Sequence, residues 1–139
     1  MPLKWNDELS VGNGAIDTDH KVLILIAQDI SDAIKGRKLD SLERLFTFIE
    51  VQMKRHFLTE ERLAKEANYD LSDHRRSHQS LLSEIAYLRN ELIGKKTWSD
   101  QAAEHYSNFL ELLLINDHII KTDMKMKPAL LAMESGFIH

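Results

Sequence analysis

Four stretches of this chain repeat apolar side chains at alternating steps of three and four residues, the spacing of a helix that buries one face. His20, Leu23, Ala27, Ile30 and Ile34 form the first stripe, with Gly36 as its stop. The second runs through Leu42, Leu45, Ile49, Met53, His56, Glu60, Leu63 and Ala67, and Asp40, three residues before Glu43, predicts a capping box at its start. After a turn over 68–70, Leu71, His74, His78, Leu81, Ile85, Leu88 and Leu92 form the third stripe, ending at Gly94. The last helix is expected to open near Thr97, with Asp100 three residues on. It carries Phe109, Leu110, Leu112 to Ile115, Ile119 and Ile120 before Pro128.

Helices of about 20 residues joined by short connections predict an all-α fold, an antiparallel up-down-up-down four-helix bundle. An N-terminal arm occupies residues 1–17, the helices about 18–127 and a short extension 128–139. In the extension Pro128 and Gly136 would bound one more short helix. A single domain accounts for all 139 residues, and only 2 Pro and 5 Gly interrupt the helices.

The chain contains no Cys, which removes disulfides and thiolate metal sites and leaves His, Asp and Glu as the strong ligands. The N-terminus lacks the apolar core of a signal peptide, and runs such as Val22 to Ala27 are too short to span a bilayer. The expectation is a cytoplasmic protein with no membrane partner. A net charge of −4 offers no basic stripe for phosphates, so nucleic acid is not an expected partner.

Several polar residues stand where core residues belong, and burying them is costly unless each finds a partner. His56 and Glu60 lie four apart on the second stripe, about 40° apart around the helix, and His74 and His78 repeat this on the third. His20 opens the first stripe, and His118 and Asp123 close the fourth. In an up-down-up-down bundle these positions share one end. Taken singly, His20 reads as a core or capping residue, His56 with Glu60 as an internal pair, and His118 or Asp123 as solvated. Their coincidence on four helices favours metal. Five imidazoles and two carboxylates exceed the four donors of one zinc and suit two ions of higher coordination number that share bridging groups. His105 and His139 are expected at the surface. One interval is irregular: His118 and Asp123, five apart, diverge by about 140° on an α-helix, so either both reach around an edge or a π-type bulge realigns them.

The set resembles hemerythrin in its single-domain bacterial form, the bacteriohemerythrins, over nearly the whole chain. The resemblance is carried by Trp5 to Gly12, Ile16-Asp17-Thr18-Asp19-His20, His56-Phe57-Leu58-Thr59-Glu60-Glu61, Tyr69 with His74-Arg75-Arg76-Ser77-His78, and His118-Ile119 through Asp123. It implies two iron ions, one held by His74, His78 and His118 and the other by His20 and His56. Glu60, Asp123 and an oxide or hydroxide would bridge them, and O2 would bind reversibly where the two-histidine iron is open. Asp19, Asp70 and Leu114 depart from the residues common in that family, Gln, Pro and Trp.

Ile24, Phe57, Ile115 and Ile119 are the expected apolar wall beside the open position. The implied role is oxygen carriage, storage or delivery, with an oxygen-consuming enzyme as recipient and no enzymatic activity of its own. Sensing through a partner protein is the alternative. So is a diiron oxidase or peroxidase, although the Glu-x-x-His pattern of carboxylate-rich oxidases is missing from the sequence, and no substrate cleft is expected.

Overall fold

In the computed structural model the described residues are 3–134. Gly136 and His139, expected as a helix end and a surface histidine, lie outside them. A 3₁₀ turn at Asp7–Leu9 is followed by α1 (Gly14–Gly36), α2 (Leu39–Glu66), α3 (Ser72–Lys95) and α4 (Asp100–Glu111). The chain then continues without a break as a π-helix over Leu112–Ile120, a 3₁₀ turn at Asp123–Met126 and a short α5 (Lys127–Glu134). Helix α1 packs on α2 and α4, α2 on α3, and α3 on the π segment, which closes the expected four-helix bundle.

The helix ends differ from their sequence-based positions for local reasons. Helix α1 starts earlier than residue 18 because the Asn13 side chain accepts hydrogen bonds from the backbone N–H groups of Ala15 and Ile16. The capping box predicted at Asp40 is not formed: Lys38 holds the N-cap position of α2, and Asp40 lies inside the first turn. Helix α4 opens at Asp100 rather than near Thr97, capped by Ser99, whose hydroxyl accepts from the Ala102 N–H. Helix α3 runs one residue past Gly94 and ends where Lys96 turns left-handed (φ 66°).

Two apolar clusters fill the interior. The larger, built around Phe46, Ile49, Met53, Ile85, Leu88, Leu92 and Leu110, occupies most of the bundle. The smaller joins Val11, Ile16, Leu63, Ala64, Leu71, Met126 and Leu130. It draws on the arm, the end of α2, the entry to α3 and α5, so α5 seals one end of the bundle. The arm is fastened there by Asp17, which accepts from Ser10 Oγ (2.5 Å) and the Val11 N–H (2.9 Å). Gly12 is needed for the fit: its φ is +77°, and a Cβ would stand 2.6 Å from Leu131 Cδ2. Among the described residues no helix is long and apolar enough to cross a membrane.

The cap assignment gives a direct test. Asn13→Ala is expected to lower the unfolding free energy by about 1 kcal/mol. Asp40→Ala should cost about 0.3 kcal/mol, the effect of an exposed charge on a helix dipole. Urea denaturation followed by circular dichroism measures both, and equal losses would mean that Asp40 does cap α2.

Candidate metal centre

Between the two apolar clusters lies a layer of buried polar side chains, and every residue expected at the site belongs to it. His20 comes from α1, His56 and Glu60 from α2, His74 and His78 from α3, His118 from the π-helix and Asp123 from the turn after it. None is more than 4% exposed. His105, by contrast, faces solvent.

The π-helix resolves the irregular interval. Its i→i+5 bonds continue to the end of the segment, where the Lys121 N–H donates to the Asn116 carbonyl (2.9 Å). The Thr122 hydroxyl donates to the Asp117 carbonyl at 2.8 Å, again five residues back. A turn that closes over five residues puts His118 and Asp123 on one face, where an α-helix would separate them by about 140°.

One donor atom from each of His20, His56, Glu60, His118 and Asp123 lies within 4.8 Å of all the others. His20 Nε2 is 2.6 Å from Asp123 Oδ2 and 3.1 Å from His56 Nε2, and His56 Nε2 is 3.1 Å from His118 Nε2 and in contact with Glu60 Oε1. His74 and His78 lie outside this group and meet the far oxygens of the same carboxylates. His78 Nε2 stands 3.2 Å from Glu60 Oε2, and His74 Nε2 stands 3.5 Å from Asp123 Oδ1. Each carboxylate therefore divides its two oxygens between the His20–His56 side and the α3 histidines. His118 Nε2 lies on the first side, 2.9 Å from Asp123 Oδ2 and 3.1 Å from His56 Nε2, rather than with His74 and His78 as the resemblance implied, and its ring centroid is 5.7 Å from that of His78.

This packing fits a metal better than a hydrogen-bonded core. Two imidazole nitrogens 3.1 Å apart need a proton or a cation between them. Among the described residues Glu60 Oε1, Asp123 Oδ1, His74 Nε2 and His20 Nδ1 are buried with no hydrogen-bond partner. Such groups are costly in a low-dielectric interior. The charges of the chain alone are strained in the same sense. Burial pushes the His20 imidazolium down, only partly offset by Asp123. For His56 burial acts the same way but is outweighed by the neighbouring carboxylates of Asp123, Asp19 and Glu60, which hold it well above its ordinary range. Asp123 is held well below the usual carboxylate range: burial is overcome by the charge of His118 and by hydrogen bonds with His118 and His20.

The sequence reading missed three features around the cluster. Asp19 Oδ2 accepts from His56 Nδ1 at 3.1 Å, an outer contact that the residue's position beside His20 could have signalled. Tyr69 meets His74 edge-on (5.4 Å, 90°). Phe57 lies flat on the His78 ring, 3.7 Å between centroids and 6° between planes. Ile24, Ile115 and Ile119 are buried in the larger apolar cluster. The expectation of no cleft is corrected: a surface cleft of about 440 Å³, lined among others by Ser77, Glu84, Phe109 and Lys125, reaches His118.

The sequence matches the Hemerythrin HHE cation binding domain over residues 11–130. The chain belongs to the hemerythrin family. It is similar to the Bacteriohemerythrin of Pseudomonas aeruginosa (strain UCBPP-PA14), with 26% identity over 116 residues, 83% of this chain and 76% of that protein. The Bacteriohemerythrin of Pseudomonas paraeruginosa (strain DSM 24068 / PA7) is similar to the same extent. No solved structure matches the chain. The buried His, Glu and Asp cluster of this hemerythrin-family chain fits a metal site.

Metal should stabilise the fold measurably. At a free metal concentration 100-fold above the dissociation constant, the expected gain is about 2.7 kcal/mol per site. Thermal unfolding of chelator-stripped protein, before and after adding Fe(II) without oxygen, reads it. An unmoved midpoint would argue against a site formed by the folded chain.

Proposed function

We propose that this protein binds O2 reversibly at a non-haem diiron centre, for carriage, storage or delivery of oxygen. One observation carries the reading: Glu60 and Asp123 each turn one oxygen toward the His20–His56 side and the other toward an α3 histidine. That is the disposition two bridging carboxylates need. His74, His78 and His118 would hold one iron, His20 and His56 the other, with a solvent-derived oxide or hydroxide as third bridge. When bound, such a pair supplies two electrons that O2 can take up and return.

The residues of the chain set the conditions for reversibility. Five neutral imidazoles contribute no charge, and the two carboxylates offset only part of the charge of two metal ions, so high oxidation states gain less here than at carboxylate-rich sites. Ile24, Ile115 and Ile119, each at most 1% exposed, would with Phe57 supply the wall proposed beside the open position, side chains that cannot hydrogen-bond and would keep water from a bound ligand. Phe57 covers one face of His78 and fixes the plane of that ring.

Size favours a diatomic ligand over a larger substrate. The cleft that reaches His118 ends on a side chain only 1% exposed, which closes its floor. The proposed role is therefore binding rather than turnover, with an oxygen-consuming enzyme as the recipient.

The test is the visible spectrum of iron-loaded, anaerobically reduced protein before O2, with O2 and after its removal. A ligand-to-iron charge-transfer band is expected to appear with O2 and vanish on removal. Direct passage to a stable oxidised spectrum would favour oxidase chemistry instead. Ile119→Glu, which adds a carboxylate next to His118, is expected to abolish the reversible band at unchanged iron content. Normal oxygenation of that variant would remove Ile119 from the wall.

A further inference from the structure

We propose that Asp19 is a positioning residue for His56, one that fixes the orientation of its ring and adds a negative charge favouring the more highly charged state of the bound metal. This rests on the diiron reading above and deepens it. Among the described residues a carboxylate from outside the cluster meets a ring nitrogen of the cluster only here; the other histidine–carboxylate pairs all involve Glu60 or Asp123.

The geometry follows from the helix. Asp19 and His20 are neighbours on α1, so their side chains leave it about 100° apart. His20 enters the bundle and Asp19 turns toward α2, where its Oδ2 lies 3.1 Å from His56 Nδ1. An imidazole that donates its Nδ1 proton outward presents a lone pair at Nε2, and His56 Nε2 is the atom that faces His20, Glu60 and Asp123. The contact thus selects the tautomer that can bind metal. His20 has no such support, since its Nδ1 lacks a hydrogen-bond partner among the described residues.

The position also determines what Asp19 can do electrically. Its side chain is 36% exposed and lines a depression of about 240 Å³ with Gln52, Arg55, Leu58 and Thr59. Its charge is stabilised from the water side, whereas its effect on His56 is felt inside, where His56 is 1% exposed. A carboxylate partner makes the imidazole a stronger donor than an amide would, and a stronger donor favours Fe(III) over Fe(II). Asp19 therefore biases a metal held by His56 toward oxidation.

Two substitutions separate orientation from charge. Stripped protein is titrated with Co(II), read by its visible bands, and the iron-loaded protein is poised against redox mediators. Asp19→Ala removes the acceptor and is expected to weaken Co(II) binding about 10- to 100-fold. Asp19→Asn keeps an acceptor of the same shape without charge. It is expected to hold most of the affinity while shifting the Fe(III)/Fe(II) equilibrium about tenfold toward Fe(II). Asp19→Asn is nearly isosteric and decides the question even if Asp19→Ala fails to fold. Wild-type affinity and potential in both variants would overturn the proposal. An unmoved potential in Asp19→Asn, whatever the affinity of Asp19→Ala, would overturn its charge component. A wild-type chain that takes up no Co(II) would instead overturn the metal-site reading.

Discussion

Two carboxylates buried at 0% exposure among five imidazoles form the constraint on which this molecule is organised. Uncompensated, each ion would cost several kcal/mol to bury, and breaking such a pairing leaves a charge stranded in a low-dielectric interior. Direct pairing supplies part of the compensation, as between His20 and Asp123, but it leaves Glu60 Oε1 and Asp123 Oδ1 without hydrogen bonds. A multivalent cation satisfies all of these groups together. The bundle supplies the rest: four helices that hold the donors at one level and apolar layers that keep water from replacing the cation.

That organisation was largely legible in the amino-acid order because buried polar residues interrupt a periodic apolar pattern. His56 with Glu60, and His74 with His78, keep the helical step, so their convergence could be read from spacing alone. His118 with Asp123 could not. The step of five fits no α-helix, and only the backbone shows that nine residues adopt π geometry to accommodate it. The same π register could not be inferred from composition, because Leu112–Ile115 reads equally well as the broad apolar face of an ordinary helix.

Helix ends were less legible than helix faces, since several polar residues near each boundary can serve as cap and the choice is made by tertiary packing. Asp40 had a capping-box partner in Glu43, yet α2 begins one residue before it. Contacts that support the buried histidines were harder still. Asp19, Tyr69 and Phe57 act on rings contributed by other elements or by later turns, and no single-helix pattern marks such cross-element contacts. Phe57, expected as a wall of the ligand pocket, also stacks flat on His78, a contact that orients that ring and that spacing does not reveal.

The smaller apolar cluster carries a further consequence for kinetics. It is assembled from segments far apart in the chain, Val11 and Ile16 at one extreme and Met126 and Leu130 at the other, while the larger cluster holds the bundle together without it. Stability in such a fold is not uniform, and the least cooperative unit opens first. Loosening α5 from Val11 and Ile16 would uncover the end of the polar layer while the larger cluster, which includes Leu9 of the arm, stays in place. In a metal-loaded protein the lifetime of the loaded state would then depend on how tightly Val11 and Ile16 hold Met126 and Leu130.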